Sequence, residues 1–255
     1  MAAHQTPSSE PLVRTRGLTL HFGGVVAADG IDFELHAGER LAVIGQNGAG
    51  KTTFVNICTG FLKPSSGQVF FDGRDITRLP PRRIVHLGLA RSFQLPQLFL
   101  EHTVRECLEI ATAARSRRLG WFTPLGDAVD RREIDHALEL VGLRQRADDP
   151  ADTLPEGQRK LLDVAMALML KPKLLIMDEP TSGVASEDKH GLMATLMAAL
   201  DEQQVTSWFV EHDIDIVTRY ATRVAAWIAG KVAADGPPAE VLANAQVRRE
   251  ILGTV

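Results

Sequence analysis

The chain has 255 residues, 45% of them hydrophobic and 24% charged, with 28 Lys and Arg against 32 Asp and Glu and a formal net charge of −4. Such a length fits one large domain or a core with an attached subdomain, and the composition excludes a disordered chain. The mild acidity excludes nucleic-acid binding by bulk charge, and no apolar stretch approaches the roughly 20 residues of a membrane-spanning helix.

Met1–Glu10 is polar, with no apolar signal segment, and reads as a flexible tail. Val13–Phe22 and Ile31–Leu35 are rich in strand formers, and LAVI at Leu41–Ile44 fits a buried strand. The stretch KTTFVNICT that follows, up to Gly60, reads as a helix. Gln68–Phe71 is a further strand, and Asp72-Gly73 after it signals a hairpin turn. From about Leu95 to Leu170 the pattern turns helical. Thr103 and Glu106 form a capping box, with Val104, Cys107, Leu108 and Ala111 recurring at helical spacing. Arg115, Arg117 and Arg118 fall near that helix's end, where cations offset the macrodipole; this is preferred to a nucleic-acid patch. Gly120–Gly126 (GWFTPLG) reads as a loop, with Trp121 and Phe122 either folding back on the helices or docking a partner. A second helix starts at Asp130, with Glu133 at the capping position, and ends at Gly142. The longest apolar run, Val164–Leu170, belongs to this helical part.

Three more apolar runs follow, LLIM (Leu174–Met177), VTSWFV (Val205–Val210) and RVAAWIA (Arg223–Ala229), before one or two terminal helices in Pro237–Val255. Apolar strands alternating with helices predict an α/β fold with a mostly parallel sheet covered on both faces. An antiparallel β portion precedes it and a helical subdomain is inserted. One domain over residues 11–255 is expected, with 11–94 and 171–255 as its core and about 95–170 as the helical subdomain. Cys58 and Cys107 show no metal or CxxC spacing, which fits a reducing compartment and a cytoplasmic protein.

Gly45-Gln46-Asn47-Gly48-Ala49-Gly50-Lys51-Thr52 matches G-x-x-x-x-G-K-[ST] in full, between a strand and a helix. Its glycines let successive N–H groups point into one concavity at a helix N-terminus, a ready site for phosphate oxygens. Lys51 supplies charge to the β- and γ-phosphates, and the Thr52 hydroxyl can ligate Mg²⁺. In LLIMDEP, Asp178 and Glu179 follow an apolar strand, so they should reach the same sheet edge as the phosphate loop. Asp178 suits the Mg²⁺ shell, and Glu179 is placed to polarise an attacking water.

With these motifs the chain resembles the ATP-binding subunits of ABC transporters, roughly from Leu12 to Gly253. Gln94 in ARSFQLPQLF is similar to the Q-loop glutamine at the junction of core and helical subdomain. LPEGQ, that is Leu154, Pro155, Glu156, Gly157 and Gln158, stands where the LSGGQ signature would. His212 in VEHD looks like the switch histidine that contacts the γ-phosphate, and Phe22 sits where an aromatic usually stacks on adenine. The resemblance implies ATP held by Gly45 to Thr52 together with Thr53, and Mg²⁺ by Thr52, Gln94 and Asp178. It implies a head-to-tail dimer that sandwiches ATP between one subunit's phosphate loop and the other's signature. It also implies integral-membrane permease subunits facing the helical insert, an indirect substrate-binding protein, no nucleic acid, and a place on the inner face of the membrane. Segments such as VVAADGIDF, TGFLKPSSGQV and VEHDIDIV are most similar to ATPases of branched-chain amino acid and amide importers.

Four positions depart from the family pattern. Gln46 replaces a common Pro, Pro155 and Glu156 replace the signature's Ser and first Gly, and Ala185 stands where Asp or Asn is usual. Pro155 offers neither hydroxyl nor N–H to a phosphate, although proline suits the start of a helix. Glu156 is repulsive to a phosphate unless it turns away. The signature and Ala185 changes lie on parts donated to a neighbour's ATP, so a heterodimer with one impaired composite site is expected. An ATP-gated subunit that hydrolyses poorly is the alternative. A non-transport ATPase of the DNA-repair or translation kind is disfavoured, because the chain has no long charged heptads and no second ATPase segment.

Overall fold

The computed structural model describes residues 10–23, 25–115 and 129–253. Residues 1–9 of the expected tail, Arg117, Arg118 and the Gly120–Gly126 loop with Trp121 and Phe122 lie outside them.

The chain begins with β1 (Val13–Phe22) and β2 (Val25–Leu35), an antiparallel pair. β3 (Arg40–Gly45) leads through a glycine-rich loop into helix α1 (Lys51–Cys58). β4 (Ser66–Phe71) and β5 (Arg74–Asp75) form a tight hairpin in which Phe71 faces Arg74. Asp72 and Gly73 both take positive φ, 50° and 73°, as a two-residue turn of the mirror-image type requires. Among the described residues these strands form a sheet in the order β2-β1-β4-β5.

α2 (Pro81–Val85) precedes β6 (Leu89–Ser92), after which come α3 (Val104–Arg115), α4 (Arg131–Leu140) and α5 (Glu156–Leu168). The chain then alternates β7 (Leu174–Asp178), α6 (Lys189–Glu202), β8 (Thr206–Val210), α7 (Ile214–Tyr220) and β9 (Arg223–Ile228). β10 (Lys231–Gly236), α8 (Pro238–Ala243), α9 (Ala245–Val247) and a wide turn at Arg248–Leu252 end it. The second sheet runs β10-β9-β3-β8-β7-β6, parallel except for the edge strand β10.

Both faces of the parallel sheet are buried, and strand parity decides which residue goes where. Leu41, Val43, Leu174, Ile176, Trp208 and Trp227 point toward the antiparallel sheet. Ala42, Ile44, Leu175, Met177, Phe209 and Ala226 point toward α5, α6 and α7. Phe54 of α1 enters the first layer, 4.8 Å from the Trp227 ring and 5.5 Å from Phe33. This packing fixes the helix that starts at the phosphate loop.

A third core joins α3, α4 and α5 through Val104, Leu108, Ile134, Leu138, Leu162 and Ala165. The capping box forms as read: the Thr103 N–H donates to Glu106 and the Glu106 N–H to Thr103 Oγ1. Asp130 caps α4 by accepting from the Arg132 N–H, and Gly142 follows its end with φ of 68°. Glu133 does not cap; tertiary pairing takes it instead. Its carboxylate accepts from Nη1 and Nη2 of Arg115 (2.9 and 2.8 Å) and from Lys171 (2.8 Å), which holds its pKa down at about 2. Arg115 also donates to the Met169 carbonyl, so it cross-links helices. β6 and β10, absent from the sequence reading, are the two edges of the parallel sheet, where short or mixed segments suffice.

Candidate functional site

The carboxyl ends of β3, β7 and β8 lie side by side at the middle of the sheet, and the chemistry-bearing residues follow directly from them. Gly45 ends β3, and Gln46, Asn47 and Gly48 are exposed on the loop, while Ala49 tucks in. Gly50 cannot be anything larger in place: its φ is +102° and a Cβ there would stand 2.3 Å from the Ala27 carbonyl oxygen of β2. Gln46 donates to the Glu250 carbonyl, so the C-terminal turn leans on this loop. Gly45, Gln46, Asn47, His212, Ile251 and Leu252 help to line a cleft of about 660 Å³.

Lys51 opens α1 and is 6% exposed. Its ammonium donates to the carbonyls of Gly45 (2.6 Å) and Gln46 (3.0 Å), curling back over the loop. Burial lowers its pKa, and the charges of Glu179 and Asp178 oppose that shift. Thr52 beside it is exposed, and Thr53 is half-buried.

Asp178 is the last residue of β7. Its Oδ2 accepts from Arg91 Nη2 at 2.8 Å, a pair whose side chains are only 10% and 7% exposed. Arg91, on the neighbouring strand β6, also donates to Asn56 of α1 at 2.5 Å and lies 4.8 Å over the Phe93 ring. Asp178 Oδ1 receives no hydrogen bond from the described residues. Thr52, Gln94 and Asp178 thus provide hydroxyl, amide and carboxylate oxygens, the donor types of a hard divalent cation.

Glu179 gathers the other two predicted catalytic residues, Gln94 and His212. Gln94 Nε2 donates to its Oε2 at 2.7 Å, and His212 Nε2 stands 3.1 Å from its Oε1. Its N–H donates to the Val210 carbonyl (2.9 Å) and its carbonyl accepts from Lys160 (3.1 Å), which hold a non-glycine residue at φ of +50°. His212 is itself fixed by its N–H, which donates to the buried Glu211 at 3.1 Å. Glu211 also accepts from the N–H and hydroxyl of Thr181, tying the strand ends together.

The signature segment lies elsewhere. Leu154 is buried in the helical core and Pro155 is the N-cap of α5, one position before the helix. Glu156 packs beside Gly183, where an added Cβ would meet its Cγ at 3.5 Å, and Gly157 faces Val184. Gln158 accepts from Arg146 at 3.2 Å. No hydrogen bond or ion pair among the described residues joins Leu154–Gln158 to Gly45–Thr53. Phe22 stands 50% exposed at the end of β1, on the hairpin whose second strand crosses the start of α1.

Arg91, Asn56, Lys160 and Glu211 belong to this constellation, and reading motifs missed them. The available signals were a charged residue inside the short apolar stretch LARS and a lysine within the first turns of an apolar helix.

Residues 28–182 match the ABC transporter family. The chain is 36% identical over 248 residues to the probable branched-chain amino acid transport ATP-binding protein LivG of Archaeoglobus fulgidus, covering 95% of each. It is 34% identical over 255 residues to the high-affinity branched-chain amino acid transport ATP-binding protein BraF of Pseudomonas aeruginosa, covering 96% of this chain and 99% of that one. The fold matches the ADP conformation of an ATP-binding cassette of an ABC transporter with a TM-score of 0.82. That match has 30% identity over 96% of this chain and 100% of the other.

Proposed function

The chain belongs to the ABC transporter family as an ATP-binding ATPase subunit, and on that premise we propose that it powers uptake of branched-chain amino acids or related small amides and polar solutes. The substrate class rests on the names of its relatives. Hydrolysis rests on one observation above the others: the Glu179 carboxylate, at the end of β7, is held from both sides by Gln94 and His212.

In this reading Gly45 to Thr53 cradle the phosphates, and Lys51 exchanges its two carbonyl acceptors for phosphate oxygens. Glu179 takes the role of general base on the attacking water, with His212 and Gln94 orienting its two oxygens. His212 also reaches the γ-phosphate, and Phe22 stacks on adenine. Thr52, Gln94 and Asp178 would hold Mg²⁺, which when bound neutralises developing charge on the phosphates. The ATP-gated, non-hydrolysing alternative draws on the altered signature alone, whereas Lys51, Asp178, Glu179, Gln94 and His212 are all present and gathered at one sheet edge.

For the assembly, we take residues 11–94 and 171–255 as the core and about 95–170 as the helical subdomain that meets integral-membrane permease subunits. No helix among the described residues is long and apolar enough to cross a membrane. In this assembly the chain would sit peripherally on the inner face beside those permease subunits, coupled indirectly to a substrate-binding protein. A second, different ATPase is favoured as its dimer partner, because Pro155, Glu156 and Ala185 weaken what this chain offers to a neighbour's ATP.

Glu179→Gln tests the catalytic assignment. Turnover should fall by about a hundredfold or more while ATP binding persists; unchanged turnover overturns it. Vigorous cooperative ATPase from the isolated chain would overturn the heterodimer.

A further inference from the structure

Helix α5 starts at the signature and sends two charged side chains, one turn apart, toward the segment around Gln94. Lys160 is 4% exposed and has no carboxylate within ion-pair distance among the described residues. Its ammonium instead donates to two backbone carbonyls, those of Gln94 and Glu179, each at 3.1 Å. Asp163, three residues on and 8% exposed, accepts from the Ser92 hydroxyl at 2.6 Å and the Gln97 N–H at 3.3 Å. The two side chains grip residues 92–97 at both ends and in the middle.

Keeping an unpaired ammonium in the interior is costly, since burial disfavours the charged form. Burial does lower the pKa of Lys160, and the more distant charges of Glu156, Glu211, Asp163 and Glu179 oppose this. A methionine or leucine would pack there without that cost. What the lysine adds is a bond to each of the two backbone stretches that carry the candidate catalytic side chains.

We propose that Lys160 is a positioning residue for hydrolysis, joining the signature helix to the backbone of Gln94 and Glu179 so that the pose of this helix sets the geometry of the water-activating carboxylate. The proposal rests on the reading of Glu179 as general base. Glu179 sits at φ of +50°, a conformation that a non-glycine residue keeps only when its surroundings impose it. The Val210 carbonyl restrains it on the N–H side and Lys160 on the carbonyl side. Without the ammonium, the carbonyl side loses its restraint and Gln94 loses a backbone anchor, so both ends of the Gln94–Glu179 hydrogen bond loosen. The phosphate loop keeps its own bonds, because no hydrogen bond or ion pair among the described residues joins Lys160 to Gly45–Thr53. The defect should therefore appear in turnover and leave binding alone. It also gives the signature a route to this chain's own site: a neighbour's nucleotide seated on α5 moves Lys160 with the helix.

The test compares Lys160→Met, Lys160→Gln and Lys160→Arg with wild type and Glu179→Gln, all as full chains in the assembled transporter. Readouts are kcat, KM, Kd for a fluorescent ATP analogue, and melting temperature. Misplacing a reacting group by about 1 Å costs on the order of a hundredfold. Lys160→Met should thus lower kcat about 10- to 100-fold with Kd within about threefold, and Lys160→Arg should recover much of it. If Lys160→Met melts too low to assay, Lys160→Gln, whose side chain ends one bond short of the ammonium and so loosens both carbonyl bonds, carries the same comparison. Wild-type kcat in Lys160→Met, kcat and Kd weakening together, or an arginine variant no better than methionine would each overturn the proposal. If Glu179→Gln itself leaves turnover intact, the base assignment fails first, and the two failures are told apart.

Discussion

Replacing Arg91 with Met strands a buried carboxylate. The Arg91–Asp178 pair is 2.8 Å long with side chains 7% and 10% exposed, so neither charge is relieved by water. Removing one partner of such a pair costs about 3–5 kcal/mol, because the other charge stays buried without compensation. Arg91 also gives up its hydrogen bond to Asn56 and its place over the Phe93 ring, at 4.8 Å, each worth about 1 kcal/mol. Lys51, whose charge also reaches Asp178, offsets part of the loss. With about 1 kcal/mol recovered from Lys51, a net destabilisation of about 4–6 kcal/mol follows, which for a domain of this size lowers Tm by about 8–24 °C. Trp208 and Trp227 are fully buried, so their fluorescence reports the melt. The cycle of Arg91→Met, Asp178→Asn and the double variant isolates the pair. The double variant should be more stable than Arg91→Met alone, since the stranded charge is gone. A Tm within 1 °C of wild type for Arg91→Met, or additive effects across the cycle, would refute the reasoning.

Gly50→Ala should lower ATP affinity by at least about tenfold in an equilibrium titration, because its Cβ collides with the Ala27 carbonyl at 2.3 Å. Gly48→Ala, with φ of +82° but open space around it, should be milder, and the reverse order would count against the steric argument. Glu133→Gln should destabilise the fold by about 1–2 kcal/mol at pH 7 in urea titrations, allowing for partial solvent exposure of the carboxylate. The folded-state pKa of Glu133, about 2, lies below its ordinary value, so this stabilisation is full above about pH 4.5 and fades as pH falls toward 2. The gap between variant and wild type should close over that range. Cys58 and Cys107 are both buried, and burial pushes both thiols up, so neither should react with a thiol reagent at pH 8 until the chain is denatured.

Much of this architecture is legible in the sequence because it is written in local patterns. LAVI and LLIM are apolar throughout, and VTSWFV and RVAAWIA nearly so, because their strands are covered on both faces; they form β3, β7, β8 and β9. The Thr103–Glu106 box and the Asp72-Gly73 turn are equally local, each settled by residues within one turn of chain. Edge strands carry no such signature: LARS and KVAADG pair on one side only and need no apolar run. Glu133 shows the opposite failure. At a helix start it reads as a capping residue, but Arg115 from another helix and Lys171 beyond it outcompete the cap. Arg91 and Lys160 left only faint local signals for the same reason, because their partners Asp178, Gln94 and Glu179 are close in space and remote in sequence.

The departures in the signature take on a different meaning once α5 is seen in place. Pro155 has no N–H, but at the N-cap no helical carbonyl awaits one, and its φ of −58° fixes how the chain enters the helix. Glu156 packs along Gly183, in the segment that follows Glu179. Farther along, Val164 and Leu168 lock the helix onto the parallel sheet, while Leu162, Ala165 and Met169 lock it into the helical core. A helix with a stiff entry and two packed faces moves as one body or not at all, since cores of this density do not deform continuously. Lys160 and Asp163 sit on its remaining face, toward Gln94 and Glu179. In the proposed dimer, what Pro155 and Glu156 would withhold from a neighbour's phosphate is therefore separable from what α5 would transmit by its position. A substitution restoring serine at 155 acts on the first and leaves the second, and a substitution at 160 does the reverse.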